Sequence, residues 1–347
     1  MAIDNKNKEE KENLKEMIKI KESLAFIGAG CSKQCGYPSW SELLQLMRNE
    51  VIELYPDRES EVDVLMQERD RLWIAQELRK SIGEENFGPF IRRLFEPQTK
   101  SQNSDFYRDL VNINFRHFLT TNYDTSIEQH IRFLPTNSDP FCWHEEEKVQ
   151  NFIRNLTRNS SSNDNIRFIL YLHGKYDSRS EDIILSERDY AKRYRKGNLA
   201  SKALWMIAAI RHVIFIGFGF EDFDLLNIFR EVKWELGNEK EPRHFAIIGL
   251  RPNEDSLHKR RHLLEKYGIL PIFYEVKVKQ SGSCDSCKRP FSPGEENHDN
   301  LKDLISEIAN TTGCNVREYT SGSQTTPLDE SHRLFEYTKR HIEERRR

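Results

Sequence analysis

The sequence predicts an α/β fold: a doubly wound parallel sheet with a helical subdomain inserted after its first strand. Three observations predict it. Short apolar runs, such as "SLAFIGAG" at residues 23–30 and "HVIFIGFGFEDFD" at residues 212–224, alternate with helix-patterned stretches. The runs are apolar throughout rather than at every second residue, the pattern of strands buried on both faces. Four of them end in glycine or polar residues, on the edge where open α/β sheets bind their ligands.

Residues 7–22 read as a charged helix leading into the first strand at 23–30. From Pro38 to about Leu110 the pattern is helical. In "WSELLQLMRNEVIELY", Trp40, Leu43, Leu44, Met47, Val51 and Ile52 fall on one helix face. Further helices are expected near 57–81, 84–95 and 103–112. "FRHFLTTNYD" (115–124) holds the second strand, "NIRFILYLHGKYD" (165–177) the third, residues 212–224 the fourth, "HFAIIGL" (244–250) the fifth and "LPIFYEV" (270–276) the sixth. Helices are expected between most of them, at about 124–132, 145–157, 186–195, 199–210, 222–236 and 253–267, with one more near 299–311. The layout is Rossmann-like. It divides the chain into a charged helix at 1–22, an α/β domain at 23–312 with its helical insertion at about 40–112, and a linker with a last charged helix at 313–347.

Composition narrows the function classes. Of 347 residues, 37% are hydrophobic and 31% charged, which describes a chain with a buried core. The net charge of -3 gives no global nucleic-acid footprint, and Arg345 to Arg347 read as a solvated tail. No direct nucleic-acid binding is expected. No apolar run approaches the length of a membrane span, and the first residues lack the apolar core of a signal peptide. A cytoplasmic protein is expected, with its six cysteines as thiols.

The four strand ends carry Gly28-Ala29-Gly30, Thr121-Asn122-Tyr123-Asp124, His173-Gly174 and Gly217-Phe218-Gly219. Gly28 and Gly30 would let backbone approach a phosphate, with a helix N-terminus behind them and the Ser32 hydroxyl beside them. Lys33 stands where a dinucleotide-binding dehydrogenase places its third glycine, and no acidic residue on a second strand follows at the usual distance. That argues against hydride transfer.

The order Gly-Ala-Gly-x-Ser, Gly36-x-Pro38, Asn122-x-Asp124, His173-Gly174 and a late glycine-bearing strand end resembles the sirtuin family over about residues 23–310. Sirtuins bind NAD and cleave its nicotinamide–ribose bond. The resemblance implies phosphate contacts at Gly28, Ala29, Gly30 and Ser32, with Thr121 where the family usually has Gln. It implies a nicotinamide-side pair in Asn122 and Asp124, a catalytic His173, and adenosine-side contacts at Gly217, Phe218 and Gly219. Ser39-Trp40-Ser41 stands where sirtuins have Asp-Phe-Arg. No cysteine lies between His173 and His212, so the four-cysteine zinc module of deacylating sirtuins is missing and no zinc is expected. The spelling "GAGCSKQCGYPSW…TTNYD…LHGKYD…ILSERDY…GFGFED" is similar to the sirtuin-like NADases of bacterial antiphage defence. That implies an NAD-destroying effector, held in check as a homo-oligomer or by a partner such as a HerA-type ATPase or a short Argonaute. A protein deacylase or ADP-ribosyltransferase, and a non-catalytic NAD- or ADP-ribose-binding subunit, are the alternatives.

In such chemistry His173 suits the general base, because a free imidazole titrates near working pH. Asn122 suits the positioning of water, and Asp124 suits the nicotinamide amide or nearby positive charge. Blander roles are open for several residues: Asn122 as a helix cap, Asp222 and Asp224 as first-turn helix acids, Tyr190 as packing, Cys31 as a small buried residue. Cys284-x-x-Cys287, with His298 or Cys314, is a weak metal candidate because the spacing supplies one ligand pair and no second.

Overall fold

The computed structural model describes residues 2–313, except 21–22, 98–103, 135, 158–165, 195–197, 221, 237–243, 253, 279–281, 284–289 and 292–295. Helix α1 (Ala2–Lys19) precedes strand β1 (Ser23–Ile27). Six helices follow: α2 (Ala29–Lys33), α3 (Trp40–Leu54), α4 (Glu59–Leu65), α5 (Arg71–Ile82), α6 (Glu84–Phe95) and α7 (Asp105–Asn112). Strands and helices then alternate: β2 (His117–Thr120), α8 (Ser126–Ile131), β3 (Asn137–Cys142), α9 (Glu146–Thr157), β4 (Ile166–Tyr171), α10 (Glu187–Tyr194), α11 (Leu199–Ile210), β5 (His212–Ile216), α12 (Phe223–Leu236), β6 (His244–Leu250), α13 (Ser256–Tyr267), β7 (Ile269–Glu275) and α14 (Asp299–Thr312). The expected tail helix and Cys284 with Cys287 lie outside the described residues.

The strands form one seven-stranded sheet in the order β3-β4-β2-β1-β5-β6-β7, parallel at every pairing. This is a Rossmann-like α/β sheet. Strand β3 was not expected from the sequence. Its run "NSDPFC" buries only Phe141 and Cys142, and it contains Pro140. An edge strand tolerates both features, since it has one neighbour and one open side.

Side chains alternate between two cores, as a period of two requires. Phe26 faces the core shared with α9 to α13, while Ala25 and Ile27 face the core shared with α1, α7, α8 and α14. All five residues of β1 are buried. Each large apolar side chain buried this way contributes about 1.5–3 kcal/mol.

A third core lies inside the helical insertion. Leu43, Leu44 and Met47 of α3 pack with Ile74 and Leu78 of α5 and Phe87 and Phe90 of α6. Tyr123, Ile183 and Leu185, from the segments after β2 and β4, complete it. The insertion is therefore built onto two of the strand ends that carry candidate site residues. Helix α7 packs on the sheet instead. Capping explains where these helices begin. Ser39 and Glu42 form a reciprocal capping box on α3, and the Asp70 carboxylate accepts from the Leu72 and Trp73 amides at the start of α5.

Helix α1 protects the β7 edge of the sheet. The Asn7 side chain donates to the Phe273 carbonyl at 2.9 Å and accepts from the Phe273 amide at 2.8 Å, as a further strand would. Glu10 pairs with Arg260 of α13, with both side chains buried.

Candidate functional site

The sheet order creates the crevice. The chain leaves β1 toward β2 on one side and leaves β5 toward β6 on the other, so β1 and β5 flank the switch point. Two loops meet there. The Gly28 amide donates to the Ile216 carbonyl and the Gly30 amide to the Gly217 carbonyl, each at 2.9 Å. A Cβ at Gly28 would lie 2.5 Å from the Gly217 carbonyl oxygen, and one at Gly217 would lie 2.5 Å from the Cys31 amide nitrogen. Gly217 also has φ +64, a conformation side chains rarely adopt. These glycines let two strand-end loops touch, and the amides of Gly28 and Gly30 are engaged in that contact. Ala29 and Gly30 remain half-buried, Gly219 is exposed, and Phe218 packs against Phe26, Phe215 and Phe220. Cys31 is fully buried; its thiol donates to the Ile216 carbonyl, and burial pushes its pKa well up. That is a structural thiol.

The end of β2 is tied into the same crevice. Asn122 donates through its side-chain nitrogen to the Gly28 carbonyl at 3.0 Å and to the Ser32 hydroxyl at 2.7 Å. Ser32 in turn donates to Asp124, whose other oxygen accepts from the Ser126 amide at 3.0 Å. Asp124 thus holds the first amide of α8 and the Ser32 hydroxyl, with both carboxylate oxygens engaged and 3% of the residue exposed. The Asn122 side-chain oxygen is buried and has no hydrogen-bond partner. Thr121 is half-buried, its amide directed at the Ile27 carbonyl.

His173 follows β4. Its carbonyl accepts from the Ile184 amide at 3.0 Å, which folds the intervening segment back over it. Glycine follows the histidine for a physical reason: Gly174 has φ +84, and a Cβ there would lie 2.9 Å from the Asp182 carbonyl oxygen. The imidazole is held edge-on by Tyr190 at 5.2 Å and Tyr194 at 6.0 Å between ring centroids. It is buried, and its Nε2 has no hydrogen-bond partner. Burial, with Arg193 adding to it, pushes the His173 pKa down to about 3. The imidazole is therefore neutral at pH 7, and a weaker base than the ordinary value implies.

Sequence reasoning did not pair His173 with Asp222. The Asp222 Oδ2 lies 3.9 Å from His173 Nε2 and accepts from the Tyr190 hydroxyl at 2.9 Å. Burial pushes the Asp222 pKa up to about 6, against the opposing donors Leu225 and Tyr190. Asp222, expected as a first-turn helix acid, stands instead one residue before α12, where Oδ1 caps the helix by accepting from the Leu225 amide at 3.1 Å. The signal in the sequence was the acid pair in "FEDFD" directly after a strand end. Phe220, just before it, has φ +58, a strained conformation for a bulky residue.

A separate cleft of about 300 Å³ is lined by Pro97, Thr125, Glu128, Gln129 and Arg132, beginning one residue after Asp124. Among the described residues no cluster of three or more His, Cys, Asp or Glu is placed to hold a metal, and no helix is long and apolar enough to cross a membrane.

These features place Asn122, His173 and Asp222 on the carboxyl edge of one parallel sheet, and a SIR2-like domain model matches residues 116–272, which contain all three. Residues 116–272 are thus similar to the SIR2-like family. It is also similar to curated proteins. The NAD(+) hydrolase ThsA of Enterococcus faecium is 28% identical over 245 residues, covering 67% of this chain and 44% of the relative. Defense-associated sirtuin 2 of Bacillus subtilis is 26% identical over 215 residues, covering 60% of this chain and 19% of the relative. The NAD(+) hydrolase ThsA of Cytobacillus dafuensis is 23% identical over 264 residues, covering 76% and 47%. The chain spans less than half the length of these relatives. The SIR2-like match starts at the residue before β2, so the Gly28–Ser32 loop precedes it.

Proposed function

We propose that the chain is an NAD+ glycohydrolase that cleaves the nicotinamide–ribose bond, giving nicotinamide, ADP-ribose and a proton from NAD+ and water. The observation that carries this reading is a buried imidazole with a free ring nitrogen, on the ligand-binding edge of a SIR2-like domain. The curated relatives called NAD(+) hydrolase support it.

The bond to nicotinamide breaks as the ribose gains oxocarbenium character, much as in glycoside hydrolysis. The residues then divide the work. The crevice between Gly28–Ser32 and Gly217–Gly219 takes the dinucleotide, Thr121 lines it, and Ser32, Asn122 and Asp124 act as one hydrogen-bonded unit. The free oxygen of Asn122 accepts a hydrogen bond from the attacking water or a ribose hydroxyl. His173 accepts a proton at Nε2. General-base assistance of this kind is worth about 10²–10⁴-fold. His173 is only 5% exposed, so NAD entry includes an opening of the segment between Gly174 and Tyr190.

The proposed setting is antiphage defence, with NAD depletion restrained by oligomerisation or by a partner such as a HerA-type ATPase or a short Argonaute. The decisive test incubates NAD alone with wild type, Asn122→Ala and His173→Ala and quantifies nicotinamide and ADP-ribose. Release by wild type and loss of about 100-fold or more in both variants is expected. Turnover only in the presence of an acyl-lysine peptide would replace the reading with a deacylase.

A further inference from the structure

We propose that Asp222 is a positioning residue for His173: its carboxylate, held by the Tyr190 hydroxyl, faces the free ring nitrogen and balances the charge the ring gains on taking a proton. The proposal rests on the glycohydrolase reading of the same site.

The geometry carries it. The Asp222 and His173 side chains are 11% and 7% exposed, and 3.9 Å separates Oδ2 from Nε2. That gap is too long for a direct hydrogen bond. It leaves both atoms within reach of one oxygen seated between them, such as a water or a ribose hydroxyl. Oδ1 is engaged by the Leu225 amide, and Oδ2 is fixed by Tyr190, whose ring also packs on the imidazole. One tyrosine therefore sets the distance between acid and base. The proton step balances simply. An O–H bond of the bridging water breaks, an N–H bond forms at Nε2, and the oxygen bonds to the ribose carbon as the C–N bond to nicotinamide breaks and its electron pair leaves with neutral nicotinamide. The imidazolium so formed is buried beside Asp222.

The need for a counter-charge follows from the surroundings. Arg193 of α10 repels an imidazolium, and burial disfavours it. The other titratable groups acting on this cluster are Tyr190 and Tyr194 of α10, Tyr123 after β2, and Asp224 of α12. With the tyrosines neutral, Asp222 is the anion nearest the ring nitrogen that this packing supplies. Its pKa of about 6 means that it becomes protonated, and loses that role, in mildly acidic solution.

Asp222→Asn and Tyr190→Phe test this. Asparagine keeps the cap on α12, so a purely structural role predicts little change. The readouts are kcat and KM for NAD between pH 5 and 8.5, with thermal unfolding as a fold control. In the wild type, kcat falls below about pH 6 as Asp222 protonates. Asp222→Asn is expected to lower kcat about 100-fold, with KM within about threefold, and to remove that acid limb. Tyr190→Phe removes a donor to the carboxylate, so the limb moves to higher pH with a loss of about tenfold. A wild type that releases nicotinamide while Asp222→Asn keeps both its rate and its acid limb overturns the proposal alone. If Asp222→Asn loses its thermal transition, an unmoved limb in Tyr190→Phe overturns it. A wild type that leaves NAD intact sinks the glycohydrolase reading and this proposal together.

Discussion

Arg79 ties the insertion to the segment over His173, and replacing it tests how that segment is held. Its guanidinium forks onto Glu84 at 2.8 and 3.0 Å, pairs with Asp189 at 2.9 Å, and donates to the carbonyls of Ile183 at 3.1 Å and Ser180 at 2.7 Å. It also lies over the Phe87 ring, 4.4 Å from its centroid. Arg79→Met keeps the apolar stem on Phe87 and removes everything else. Glu84 is 66% exposed and rehydrates, so its loss contributes little. Asp189 is 21% exposed and keeps its bonds to the Leu185 and Ser186 amides and the Ser186 hydroxyl. The Ile183 and Ser180 carbonyls lose a charged donor. Breaking one side of a buried pair costs about 3–5 kcal/mol, and the exposure of the acids argues for the lower end, about 3 kcal/mol. For a unit of this size that is a fall of about 4–5 °C in Tm. The damage is local to the elements that carry Ile184, which binds the His173 carbonyl, and Tyr190, which packs on its ring. Activity should therefore fall further than stability at a temperature where the variant is folded. Urea unfolding and NAD turnover measure the two effects. Arg79→Lys should recover part of the stability, since one ammonium cannot reproduce the fork. A loss under about 0.5 kcal/mol for Arg79→Met would refute the clasp.

Two further outcomes follow from the same physics. Gly217→Ala places a Cβ 2.5 Å from the Cys31 amide nitrogen at φ +64, so it should separate the Gly28 and Gly217 loops and abolish NAD binding by calorimetry; binding at the wild-type level would show that their contact is dispensable. The pH dependence of stability should separate His173 from Asp222. The His173 pKa is depressed to about 3, so the unfolded chain binds its proton first and stability falls as pH drops from 6.5 toward 3, by up to about 4–5 kcal/mol. The Asp222 pKa is raised to about 6, so it has the opposite sign: its stabilising contribution is present at low pH and lost as pH rises from about 4 through 6, by about 3 kcal/mol. His173→Gln should thus resist acid better than wild type, and Asp222→Asn should be the more stable protein at pH 8. Urea titrations at pH 4 to 8 check both signs, and parallel curves for all three proteins would contradict them.

The class of the fold, and the edge on which a site would form, are legible in the residues alone. Six of the large sheet's seven strands are apolar runs, because a strand covered on both faces must exclude polar side chains over its whole length. Their ends are glycine-rich or polar for a local reason, and Asn122 and His173 are legible there. Relations between segments far apart in the chain arise only on folding. Strand β3 carries no periodic signal and exists because β4 offers it an edge. Gly28 and Gly217 are glycines because of each other, and neither residue's neighbours in sequence say so. His173 is a weak base, and Asp222 a weak acid, because burial sets their pKa values and burial depends on which helices come to rest above them. Periodicity records whether a side chain is covered; it does not record what covers it, and at this site the covering groups decide the chemistry.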